Sequence, residues 1–344
     1  MVDFAGWEMP VQFAGIIPEH RTVREAVGIF DISHMGQLFV EGPGAAQWLD
    51  SMLTNDLAAL SDGQGQYSLL LNERGGVIDD LIVYRIGAER YFLVVNASLR
   101  EQDTAWLGEH LTPGIELIDS SDRFAAVAIQ GPRSGDVYEA VRSGLQFPPL
   151  PPRNGIARDA EETTIICRTG YTGEDGFEIF FPAQDADSTY GTLLDAISHA
   201  GGQACGLGAR DSLRLEMGYP LNGNDLSPDR TPLEAGLGFF CKLDAAAFIG
   251  REALLEQKRN GIPSRLAAIA IIGKSPPPRA HYPVLAEGQR VGELCSGTLS
   301  PSLSRGIGLA YLPADLAGIG TQLEIEIRDR RFSAQVVKKP FAKS

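Results

Sequence analysis

The stretch that most restricts how this chain can fold begins at Arg265. From there the sequence breaks into short apolar runs, Leu266–Ile272, Tyr282–Ala286, Gln289–Leu294, Ile307–Tyr311, Leu323–Ile327 and Phe332–Val337, punctuated by turn residues. Such runs are too short for helices with a buried face, and their β-branched residues favour strands. Strands at this spacing must pair with one another, which predicts a small all-β barrel or sandwich. Upstream the pattern changes to strands mixed with helical segments, so a domain boundary is expected near Gly236–Gly250. At 344 residues the chain has room for two or three domains with substantial cores.

In the upstream part, Asn72–Tyr84 reads N-E-R-G-G-V-I-D-D-L-I-V-Y. Gly75 and Gly76 supply a turn between the run Tyr67–Leu71 and a second strand that starts at Val77. Asp79 and Asp80 fall inside that strand, where aspartate is depleted. Alternation puts Asp79 on the face of Val77, Leu81 and Val83, and Asp80 on the face of Ile78, Ile82 and Tyr84. Both faces are apolar, and a buried carboxylate must find donors or become neutral. Either both aspartates are structural, or one faces a ligand cavity.

The other elements follow from similar signals. Helices are expected over Glu19–Val27, stopped by Gly28, and from Pro43 to Leu53. Gln37–Glu41 and Tyr91–Val95 read as strands, the latter completing an antiparallel meander with the hairpin. Ser98 and Glu101 form a capping-box pattern for a helix Leu99–Leu111, whose stripe is Leu99, Asp103, Trp106, Leu107 and His110. Ile115–Asp119, Phe124–Gln130, Thr163–Arg168, Phe177–Phe181 and Phe239–Leu243 are expected strands; Ala209–Met217 and Arg251–Asn260 are expected helices. His34, in F-D-I-S-H-M-G, reads as a satisfied structural histidine.

Charge and cysteine usage narrow the partners. A formal charge of −14 offers no basic face for phosphates, so nucleic acid is not expected as a partner. No apolar run reaches the ~18 residues of a membrane span. The start of the chain lacks the basic flank and apolar core of a secretory signal. Cys167, Cys205, Cys241 and Cys295 are scattered and form no metal-ligand pair, so reduced thiols in a cytoplasmic protein without metal are expected. No phosphate loop, dinucleotide fingerprint or nucleophile elbow occurs in its required context.

A second anomalous carboxylate lies in Phe177-Glu178-Ile179-Phe180-Phe181. Glu178 is either on an exposed outer face or beside an aromatic wall. In the second case its paired acceptors match a flat heterocycle that presents an amino group next to a ring N–H, as pterins and guanine do. Arg210 and Arg214 lie four apart on one helix face. Surface ion pairs with Asp211 or Glu216 would satisfy them, or Arg210, near the amino end of its helix, serves a ligand.

Together, M-V-D-F-A-G-W-E-M-P, F-D-I-S-H-M-G, G-G-V-I-D-D-L-I-V-Y, R-T-G-Y-T-G-E-D-G-F-E, G-L-G-A-R-D-S-L-R-L-E and V-V-K-K-P-F closely resemble the aminomethyltransferase (T-protein) of the glycine cleavage system. The motifs occur in that family's order from Met1 to Phe341. The resemblance implies an α+β fold: a three-domain cloverleaf with antiparallel sheets around a central folate site and a C-terminal β-barrel. Residues 1–38 and 123–235 would form a discontinuous first domain, 39–122 a second, and 236–344 the barrel domain. The implied reaction moves a one-carbon unit from aminomethyl-dihydrolipoyl H-protein to tetrahydrofolate, releases ammonia and gives methylenetetrahydrofolate. Lipoylated H-protein and tetrahydrofolate are then the partners, with no metal and no membrane. Carried over by motif, Asp80 stands as the catalytic carboxylate beside the reacting folate nitrogens and Glu178 takes the pterin edge. Tyr171, Arg210, Asn96, Tyr67 and Met35 would line the folate site.

The chain departs from the family pattern in places. It begins at the M-V-D-F-A-G-W motif, which bears on H-protein docking more than on folate binding, and it carries Asn222 where a tyrosine is frequent. Two rival functions keep the fold. One is a folate-dependent demethylase acting on a small methylated amine or sulfonium compound. The other is a non-catalytic folate-binding protein of iron–sulfur assembly; its relatives carry a cysteine within the motif Tyr171–Glu178, and none occurs there.

Overall fold

The computed structural model describes residues 1–244 and 247–342. They divide into one unit of Met1–Ser68 with Asp79–Arg210 and another of Leu69–Ile78 with Asp211–Ser344.

The first unit holds a six-stranded sheet in the order Ile156–Arg158, Ile165–Cys167, Gly176–Pro182, Phe124–Gln130, Gly28–Asp31, Gln203–Ala204. Its pairings are antiparallel except the last, which is parallel. Alternation sends Phe177, Ile179 and Phe181 into one core with Ile29, Val127, Ile129 and Ile166. The helices Ser134–Arg142 and Ala186–His199 cover that core with Val137, Tyr138, Leu193 and Ile197. A five-stranded sheet runs Gly65–Leu71, Val77–Gly87, Arg90–Val95, Gly36–Glu41, Glu116–Asp119, and contains the expected meander. The two sheets meet face to face. Phe180 packs edge-on against Phe92 at 5.4 Å, and the Tyr84 hydroxyl lies 2.7 Å from Thr169 Oγ1.

The hairpin turn is built as its glycines suggest. Gly75 has φ +79°, and the Asn72 side chain accepts from the N–H groups of Arg74 and Gly76. A Cβ at Gly76 would lie 1.8 Å from the Pro228 carbonyl oxygen, so that position admits no side chain.

In the second unit the short apolar runs close into a barrel: Ser264–Ile271, Arg305–Pro313, Gln289–Ser300, Pro283–Ala286, Gln322–Ile327, Arg330–Val337, and back to the first. Ile269, Ile271, Val284, Leu294, Leu312, Ile325 and Val336 fill it. Closure leaves no unpaired edge, which suits strands this short.

Several sequence expectations are corrected. Phe239–Leu243 is not a strand; Gly238–Phe240 is a 3₁₀ turn and Phe239 is exposed, because no neighbouring strand pairs with it among the described residues. The first helix runs Ile16–Glu25, and Gly28 opens a strand instead of ending the helix. The capping box at Ser98 does not form: Ala97–Leu99 makes a 3₁₀ turn that absorbs Ser98, and the helix Arg100–Glu109 starts after it without a side-chain cap. Among the described residues no helix is long and apolar enough to cross a membrane.

Candidate functional site

Asp79 and Asp80 differ as alternation requires. Asp79 is fully buried, whereas Asp80 is half-buried. Asp79 accepts from the backbone N–H of Asn96 at 3.0 Å and from Asn96 Nδ2 at 2.8 Å. Its carboxyl also meets that of Asp103, which projects from the helix Arg100–Glu109. Asp80 faces the other way, sharing its side of the strand with Tyr84 and so with the six-stranded sheet. Its Oδ2 accepts from the Tyr67 hydroxyl at 3.0 Å, and its Oδ1 lies 3.2 Å from Asn96 Nδ2. Asn96 thus touches both carboxyl groups. Burial, followed by the charge of Asp80, raises the Tyr67 phenol well above its ordinary range, so Tyr67 stays a donor.

Glu178 is not on an exposed outer face. Directly opposite it stand Cys167 and Ala128, and that face of the sheet packs toward Phe92 and Tyr84. Thr169 Oγ1 donates to Glu178 Oε2 at 2.9 Å, while the carboxylate stays partly accessible. Burial raises its pKa, against the opposing pull of Thr169 and Arg210. A side chain that is desolvated and still reachable is what a cavity wall provides, and its Oε1 takes no hydrogen bond among the described residues.

The glycine-rich stretch serves this wall as a folded loop. Cβ atoms at Gly170 and Gly176 would fall 1.9 and 2.4 Å from the Gln130 amide, so both glycines make room for that side chain. Gln130 in turn accepts from Thr172 Oγ1 at 2.8 Å and donates to the Thr169 carbonyl at 3.2 Å. Arg24 donates to the Thr172 carbonyl at 2.7 Å and pairs with Glu174. Pinned on both sides, the loop presents Tyr171, and the Arg210 guanidinium lies 5.3 Å over its ring. Arg210 Nη2 is also 4.0 Å from Met35 Sδ.

His34 is buried but not satisfied: neither ring nitrogen finds a partner among the described residues. Burial and nearby Arg210 lower its pKa to about 3, so it is a neutral ring packed edge-on to Phe4. The reading of Arg214 as a surface ion pair is also corrected. Arg214 is 2% exposed; it reaches Asp211, but also the fully buried Asp225 at 2.8 Å and Ser296 at 2.8 Å. Glu216 is buried and accepts from the Ser300 and Ser302 hydroxyls. Asn222, the departure from the family pattern, donates from Nδ2 to the Ile78 carbonyl at 3.2 Å.

Asp80, Tyr67 and Asn96 therefore form one hydrogen-bonded group; Glu178, Arg210, Tyr171 and Met35 form another, and Tyr67 and Tyr171 lie close enough to interact electrostatically. All seven are half-buried members of the first unit. Sequence reasoning did not single out Thr169, Tyr84 or Asp103 as part of this arrangement. For Asp103 a signal existed: it was the lone carboxylate in the stripe of its helix.

Comparison with known proteins places this geometry in context. A family model described as the GCVT N-terminal domain matches residues 1–245, and one described as the glycine cleavage T-protein C-terminal barrel domain matches residues 265–343. The chain is 44% identical over 347 residues to an aminomethyltransferase of Bacillus cereus, covering 99% of this chain and 94% of the relative. It is 43% identical over 355 residues to an aminomethyltransferase of Symbiobacterium thermophilum, covering 100% and 94%. The solved glycine cleavage system aminomethyltransferase T from Bartonella henselae superimposes with a TM-score of 0.92 at 35% identity, covering 99% of this chain and 94% of that one.

Proposed function

Because the chain belongs to the glycine cleavage T-protein family, we propose that it transfers the aminomethyl carbon carried by lipoylated H-protein to tetrahydrofolate, releasing ammonia, with Asp80 as the catalytic carboxylate. The observation that carries this reading is the placement of Asp80 and Glu178. They stand on the two sheet faces that pack against each other, each held by a hydroxyl donor and each still accessible.

The residues present fit a pterin. Glu178 offers paired acceptors to an amino group beside a ring N–H, Tyr171 offers an aromatic face, and Arg210 and Met35 close the same cluster. Bound tetrahydrofolate supplies the amine that accepts the carbon. Asp80, fixed by Tyr67 and Asn96, orients an amine N–H and stabilises positive charge as ammonia leaves, at no cost of reorganisation during the reaction. The division into domains 1–38 with 123–235, 39–122 and 236–344 is part of this reading; the six-stranded sheet, the five-stranded sheet and the barrel support it.

The deciding experiment is incubation with aminomethylated, lipoylated H-protein and tetrahydrofolate. Ammonia release that needs both is expected. Absence of release, with folate still raising the melting temperature, would favour a demethylase of the same fold.

A further inference from the structure

We propose that Asp103 is a neutral carboxylic acid that donates its proton to Asp79, and that this buried pair fixes Asn96 and, through Asn96, the Asp80 carboxylate. Asp103 is then a positioning residue. The inference rests on the reading of Asp80 as the reacting carboxylate and extends the site to the helix behind the strand.

Asp79 and Asp103 are each 0% exposed and lie in hydrogen-bonding reach of one another. Two desolvated carboxylates in contact cannot both be ionised, so the pair carries a proton. The distribution of donors decides where it sits. Asp79 receives two N–H bonds from Asn96, which favour its ionised form. No N–H or O–H of any described residue donates to either oxygen of Asp103, so the proton belongs there. The charged and titratable groups that act on the pair do not change this. Asp80 shares the strand, and Tyr67, on the neighbouring strand, bonds Asp80 and interacts with Asp79 only electrostatically. Arg100, one turn earlier on the helix of Asp103, spends its guanidinium on Asp119 and Asp122. Burial and the mutual repulsion of the aspartates accordingly hold the Asp103 carboxyl above the ordinary carboxylate range.

The consequence for the reaction runs through one amide. Asn96 Nδ2 lies 2.8 Å from Asp79 Oδ1, 3.0 Å from the Asp80 carbonyl and 3.2 Å from Asp80 Oδ1. With its backbone N–H also held by Asp79, Asn96 cannot turn away from Asp80 unless Asp79 moves. The O–H of Asp103 keeps Asp79 in place.

The test uses the full-length protein and two kinds of readout. In apo protein with isotope-labelled aspartate carboxyls, infrared difference spectra at neutral pH should show a carboxylic-acid C=O band that Asp103→Asn removes. Asp103→Ala should lower kcat about tenfold or more with KM for tetrahydrofolate unchanged. Asp103→Asn, which supplies an N–H donor without charge, should recover kcat to within about threefold of wild type. No acid band in the wild-type protein overturns the proposal without requiring any variant to fold. So does an Asp103→Asn enzyme as slow as Asp103→Ala. If Asp80→Asn turns over at the wild-type rate, the reading of Asp80 fails and the positioning role falls with it, whatever the band shows. If Asp80→Asn is inactive and the band is missing, only the role of Asp103 falls.

Discussion

Each unit buries a polar cluster, and the two clusters handle charge in opposite ways. In the unit that contains the barrel, Arg214 meets Asp225, Ser296, Asp211 and the Tyr219 carbonyl. Asp225 in turn accepts from Ser296 and from the Leu221 N–H. Opposite charges meet, and three donors converge on Asp225 Oδ2, while Asp225 Oδ1 takes no hydrogen bond among the described residues. In the first unit, Asp79 and Asp103 meet each other, with Asp80 nearby on the opposite face of the strand. Cancelled charge suits a scaffold. Like charges pressed together keep a proton and a preset carboxylate in place, which suits chemistry at the cost of stability.

The sharpest way to break this contrast is Arg214→Ala. It leaves Asp225 buried without its cation and should cost about 3–5 kcal/mol in urea unfolding. A loss below about 1 kcal/mol would put the Arg214 cluster in the class of weak surface pairs. Next comes the aspartate pair. Asp80→Asn keeps shape but removes charge, so ammonia release should fall ~10²-fold with melting nearly unchanged. Asp79→Asn should lower the melting temperature and, by loosening Asn96, slow turnover about tenfold, well short of the Asp80→Asn loss, through the Asn96 and Asp103 contacts it weakens. Turnover abolished by Asp79→Asn but intact in Asp80→Asn would reverse the assignment of faces.

Glu178→Ala should weaken tetrahydrofolate binding by about 1.5–3 kcal/mol, the loss of a charge-assisted contact in a desolvated wall. Unchanged affinity by calorimetry would return Glu178 to a purely structural role. The last effect is a slope. Asp103 in the folded protein has its pKa raised from 3.8 to about 10, so between those values the native state holds a proton that the unfolded chain lacks. Its contribution is fully present below about pH 4 and is lost as pH rises toward about 10, at no more than about 1.4 kcal/mol per unit. Asp103→Asn should flatten that decline, so its melting temperature relative to wild type should climb with pH. A pH-independent difference would mean that Asp103 is ionised in the native state.

Much of this was legible in the residues. The barrel strands were visible because closed antiparallel strands demand short apolar runs broken by turns, and the helix Arg251–Asn260 matched its expected bounds. The opposed faces of Asp79 and Asp80 followed from the two-residue period of a strand. The helix Ser134–Arg142 went unread, since its pattern is diluted by Gly135 and by charged residues on its outer side. The Ser98 capping box misled because a 3₁₀ turn took up the same residues.

The sequence by itself determined the hairpin, the run of short strands after Arg265, the alternation of each strand and, through its motifs, the family. Those are local or periodic properties, fixed by backbone sterics and by which residues water expels. It could not decide that Glu178 faces another sheet instead of solvent, that Arg214 is buried, or that Asp103 lies against Asp79. Each depends on which surface is brought over that residue from far along the chain. Burial and dielectric, and with them the protonation of a carboxyl group, exist only once that packing is made.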